Sequence, residues 1–97
     1  MIKAVWKDNV LAKSDKTIVV DRRHYFPVEH VNIEFLEKSD FHTVCPWKGE
    51  ASYYNVVING NQNENAAWYY PLPNEKAAYF KDYIAFSYIH GIDIVEE

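Results

Sequence analysis

Cys45-Pro46-Trp47-Lys48-Gly49 gathers a thiol, a rigid proline, an indole, an ammonium and a glycine into one short segment, followed by Glu50-Ala51-Ser52-Tyr53. Pro46 biases Cys45 toward extended backbone, and Gly49 permits a sharp turn or a close backbone approach. Such a bend presents side chains to a cleft. There Lys48 would meet an anionic group or activate the Cys45 thiol, and Trp47, Tyr53 or Trp68 would stack on a planar ligand. The competing reading is structural, with Cys45 a small buried hydrophobe, Trp47 core and Lys48 a solvated charge beside a turn.

Other reactive groups are scattered. His42-x-x-Cys45 has the composition of a base and nucleophile, yet positions three apart on a strand point to opposite faces. His24, His30 and His90 lie elsewhere, and Cys45 is the only cysteine. One thiol supports neither an internal disulfide nor the paired cysteines of structural zinc, so no metal and no cofactor are expected. Glu29, Glu34, Glu37 and Asp40 have no spacing that sets two carboxylates across a substrate. Arg22-Arg23 before His24-Tyr25 could receive a phosphate or carboxylate through the planar guanidinium fork, although arginines beside turns usually serve solubility.

Elements must position these residues, and the 97-residue chain is long enough for one core and too short for two, which predicts a single domain over 1–97. Eight Tyr, five Phe and three Trp supply large buried areas to a chain this small. Fourteen acids against ten bases leave a formal charge of -4 with no basic stripe, so nucleic acid is not an expected partner. No apolar run has the length of a bilayer span or a signal peptide, which predicts a soluble, cytoplasmic protein without membrane contacts.

The pattern is mainly β. Ile2, Ala4 and Trp6 alternate with Lys3, Val5 and Lys7, and Asp8-Asn9 turns the chain into a second strand over Val10-Leu11-Ala12-Lys13. Thr17-Ile18-Val19-Val20 is a β-branched third strand. Pro27 opens one helical turn through Val28-Glu29-His30, and 33–44 has no regular period. A central hairpin runs from Glu50 to Asn59, with Asn59-Gly60 and the polar Asn61-Gln62-Asn63-Glu64-Asn65 as its exposed tip, and returns along 66–70 to Pro71. Asn74 caps a short helix through Tyr79, and Tyr83–Tyr88 and Ile92–Val95 form strands joined at His90-Gly91.

Trp6-x-x-x-Val10-Leu11-Ala12-x-Ser14, Tyr25-Phe26-Pro27, the Cys45-to-Tyr53 segment, Ala67-Trp68 and Ala85-Phe86 together resemble domain-of-unknown-function family 427, along nearly the whole chain. The resemblance implies a β-tent-like domain of two splayed antiparallel sheets with one or two short helical turns, similar to methionine sulfoxide reductase B and several zinc-binding modules. Those relatives hold zinc with two cysteine pairs, which this chain lacks. The family also carries a nucleotidyltransferase-like label, but no pair of metal-binding carboxylates or triphosphate loop is present here.

The leading expectation is a small-molecule or peptide binding domain whose pocket is formed by Tyr25, Cys45, Trp47, Lys48, Tyr53 and Trp68. The alternatives are an enzyme of acyl transfer or redox chemistry with Cys45 as nucleophile, and an interaction module meeting a second copy or a partner protein through exposed tyrosines or a β edge.

Overall fold

The computed structural model describes all 97 residues. Nine strands run β1 (Ile2–Trp6), β2 (Asn9–Ser14), β3 (Ile18–Val20), β4 (Arg23–Tyr25), β5 (Leu36–Cys45), β6 (Gly49–Ile58), β7 (Asn61–Tyr69), β8 (Ala85–Phe86) and β9 (Asp93–Glu96). The helical content is four short 3-10 segments, Val28–His30, Ile33–Phe35, Glu75–Phe80 and Tyr88–His90. The mainly β domain expected from the sequence is therefore what the chain forms. Its two larger antiparallel sheets have the orders β2-β1-β9 and β5-β6-β7-β8, and a small β3-β4 hairpin is added to them. No helix is long and apolar enough to cross a membrane.

The four-stranded sheet is covered on both faces. On one side Val56, Ile58, Ala66, Ala67 and Phe86 meet Ala4, Leu11, Ala12, Phe26, Ile84 and Ile92 in the larger core. On the other, Ala51, Tyr70 and Ala85 meet Val20, Tyr25, Ala77 and Phe80. Strand alternation explains the division, since Ala85 and Phe86 are consecutive and enter different cores. Tyr25 and Phe26 do the same where β4 ends, and Phe26 is anchored by reciprocal backbone bonds with Ile84.

Local backbone chemistry fits these elements with several displacements from the sequence reading. The first turn is Lys7-Asp8, both at positive φ, one residue before the expected Asp8-Asn9. A register shift beside Ala4 lets the consecutive Leu11 and Ala12 both be buried. Asn59-Gly60 is the whole central turn, so the polar 61–65 segment is strand rather than loop, and Asn63 is buried where its amide donates to the His90 carbonyl. Strands β8 and β9 are not a hairpin, because β8 pairs with β7 and β9 with β1. Gly91, at φ 83, makes the change of direction between them.

The least regular stretch of the sequence proved to be the long edge strand β5, paired only with β6. Most of its residues face solvent, so no apolar alternation marks it. Its register breaks between Lys38 and His42, a bulge of the kind that makes a strand edge a poor template for further pairing.

Phe26 is fully buried and meets Phe86 edge to face at 5.7 Å. Phe26→Ala is expected to destabilise the domain by about 3–5 kcal/mol through lost transfer energy and a residual cavity. Urea unfolding measures this directly, and a loss below about 1 kcal/mol would show that the larger core does not depend on this ring.

Candidate functional site

Cys45 pairs with Gly49 at the closed end of the β5-β6 hairpin, leaving Pro46-Trp47-Lys48 as the turn. Gly49 stands at φ 109, and a Cβ there would lie 3.3 Å from the Asn74 backbone nitrogen and 3.4 Å from the Leu72 carbonyl oxygen. Asn74 clamps the same turn. Its backbone N–H donates to the Lys48 carbonyl at 2.9 Å and its side-chain amide to the Pro46 carbonyl at 3.1 Å. The Asn74 side chain thus holds the hairpin rather than capping the 3-10 segment that follows it.

Lys48 is the buried charge of this region, with 8% of its surface exposed. Its ammonium lies 2.7 Å from the Asp21 carboxylate and over the Trp47 and Tyr70 rings at 5.4 and 5.9 Å. Burial pushes the Lys48 pKa down, but the bond to Asp21 and the electrostatic fields of Tyr25, Asp21 and Cys45 together outweigh it and raise the pKa. The hydrogen bond from Lys48 holds the exposed Asp21 carboxyl below its ordinary value. Asp21 reaches Lys48 because Asp21-Arg22, both at positive φ, form the two-residue turn of the β3-β4 hairpin. Burial raises the Tyr70 phenol, with Tyr25 and Cys45 adding to the shift.

Of the six residues expected to form a pocket, Tyr25, Lys48, Tyr53 and Trp68 converge on a concavity of about 280 Å³ that also includes Asp21, Arg23 and Tyr70. Trp68 donates its indole N–H to the buried Tyr25 hydroxyl at 3.1 Å. Cys45 and Trp47 do not line this concavity. Cys45 packs partly buried against the smaller core, while Trp47 projects from the turn, 40% exposed, with its ring against Phe80. Cys45 shares that core with Tyr53 and Trp68, but it and Trp47 sit at the closed end of the hairpin, beyond the concavity.

A larger groove of about 640 Å³ adjoins the first and shares Arg23, Tyr53 and Trp68 with it. Sequence reasoning missed its other walls, Phe41, Glu64, Asn65 and the Ser87–His90 segment. Two facing irregularities build it. The β5 bulge frees Phe41 to lie 4.9 Å from the Tyr53 ring, and in β7 the residues between Asn63 and Ala67 face only Asn55 of β6. Asn65, at φ 55, joins the two, as its N–H donates to the Asn55 side-chain oxygen at 2.9 Å and its own side-chain oxygen accepts from the Ser39 hydroxyl. Only the Asn-rich composition hinted at this, because asparagine tolerates positive φ.

Every histidine is held through Nδ1 by a hydroxyl: His30 by Ser14, His24 by Thr17, His42 by Ser52 and His90 by Ser87. His42 therefore meets the neighbouring strand instead of Cys45. No group of three or more metal-ligating side chains is assembled.

Fold and site together define a small antiparallel β domain with an aromatic groove on one face of its main sheet. The chain belongs to the family described as Domain of unknown function (DUF427), whose sequence model matches residues 1–97. Comparison with curated proteins finds no match.

Two measurements test the hairpin and its ion pair. Gly49→Ala is expected to cost about 1–3 kcal/mol because an L side chain is strained at this φ and crowded by the Leu72–Asn74 backbone. An unchanged urea midpoint would refute that account. The lowered Asp21 pKa means that its contribution to stability is present above the unfolded value of 3.8 and fades as pH falls through the lower folded value. Asp21→Asn should lower the melting temperature at neutral pH and narrow the gap from wild type below that window. A constant gap across acid pH would show that the carboxylate charge is not what holds Lys48.

Proposed function

We propose that this domain binds a small molecule in the groove over β6 and β7. The observation that carries the reading is the cross-strand pair Tyr53 and Trp68, half-buried with ring centroids 6.4 Å apart, beneath a concavity of about 640 Å³. That volume falls within the range of ligand pockets, which are typically lined by aromatic groups and a few polar ones. The buried Tyr25 hydroxyl fixes the Trp68 indole, so the shelf is pre-organised, and a rigid aromatic wall loses little side-chain freedom when a planar ligand stacks on it.

Binding rather than Cys45 chemistry is the reading that the geometry supports. The groove does not include Cys45, the Lys48 ammonium is bonded to Asp21, and His42 is bonded to Ser52.

Titration of the protein with small aromatic acids and amines, followed by amide and indole NMR shifts, is expected to perturb Tyr53, Trp68 and Tyr88 before Trp6 or Trp47. Phe41 is exposed, so Phe41→Ala should leave the fold intact while weakening binding by about 0.5–1.5 kcal/mol through a lost ring contact. Shifts scattered over the surface, or confined to Trp47, would sink the proposal.

A further inference from the structure

We infer that the groove selects an amphoteric aromatic compound, one planar scaffold carrying a single acidic group and, at a separate position, an amine. This rests on the reading of the groove as a small-molecule site. Arg23 and Glu64 both line it and carry opposite charges, yet they do not pair with each other. The ion pairs of the molecule are Lys3 with Glu97, Lys13 with Glu97 and Lys48 with Asp21, so Arg23 and Glu64 are charges that the protein itself leaves uncompensated.

Each is placed by local backbone structure. Arg23 opens β4 directly after the positive-φ Asp21-Arg22 turn, and its guanidinium lies 4.3 Å from the Tyr88 ring centroid. A guanidinium stacked through its face keeps its N–H edge for a planar acceptor, and a carboxylate matches that fork. Glu64 precedes Asn65 in the β7 irregularity, which the Asn55 and Ser39 side chains hold in place. Bulges redirect side chains, and this one brings a carboxylate to the groove wall.

Phe41, Tyr53 and Trp68 supply the aromatic surface of the same groove. A ring stacked there, with its acid on Arg23 and its amine on Glu64, compensates both charges at once. Glu64 also repels a second anionic group, which disfavours polyphosphates and dicarboxylates.

The test compares four probes of similar size by NMR titration of the full chain: para-aminomethylbenzoate, benzoate, benzylammonium and benzyl alcohol. Para-aminomethylbenzoate is expected to bind about tenfold more tightly than benzyl alcohol, as two partly exposed charge contacts of modest strength would give. Arg23→Gln should abolish the preference for para-aminomethylbenzoate over benzylammonium, and Glu64→Gln its preference over benzoate. Equal affinity for all four probes at the groove would overturn the inference while leaving the small-molecule reading intact. Absence of any groove shift would overturn both. A preference that survives both substitutions would assign the selectivity to other groups and overturn the roles given to Arg23 and Glu64.

Discussion

The burial of both faces of the β5-β6-β7-β8 sheet is the constraint on which the other features rest. Strand alternation sends neighbouring side chains to opposite faces, so each short segment that crosses an edge of this sheet must serve two cores. Tyr25 and Phe26 show it most clearly. Phe26 fills the larger core and bridges to Ile84, while Tyr25 fills the smaller core and accepts the Trp68 indole N–H at its hydroxyl. Fully burying one ring is worth about 1.5–3 kcal/mol, and the pair joins the β3-β4 hairpin to the sheet.

The groove exists because that coverage is incomplete. The β3-β4 hairpin and the Glu75–Phe80 segment cover the sheet near Ala51, Tyr70 and Ala85, but Tyr53 and Trp68 remain half-buried beyond them. Bulges in β5 and β7 then carry Phe41 and Glu64 to the open part. The charges divide in the same way. Lys48 is compensated within the fold by Asp21, as a cation so deeply buried requires, whereas Arg23 and Glu64 line the groove without ion-pair partners.

Local chemistry made much of the fold legible in the sequence. The first hairpin, the Asn59-Gly60 turn, the turn after Pro27 and the positive φ of Gly91 follow from short-range patterns and turn residues. What resisted was determined from outside the segment. Strand β5 has an exposed edge and no alternation, so no period marked it, and Asn61–Asn63 pair with β6 although their polar composition pointed to an exposed tip. The candidate site divides similarly. Tyr53 and Trp68 were legible as aromatics near an unusual turn, but Cys45 and Trp47, close to Tyr53 in sequence, belong to the hairpin end and lie outside the concavity.

By itself the sequence determined a single mainly β domain without a zinc-type cysteine set, and it marked Cys45–Gly49 as a tight turn, because cysteine count, period-two alternation and glycine conformations are local properties. Only the tertiary structure decided which side chains share a wall. Arg23, Phe41, Glu64 and Trp68 come from three different strands, β4, β5 and, for the last two, β7, and what joins them is two facing register shifts and the side to which each strand turns its residues. Those depend on pairing between distant segments, which no spacing along the chain encodes.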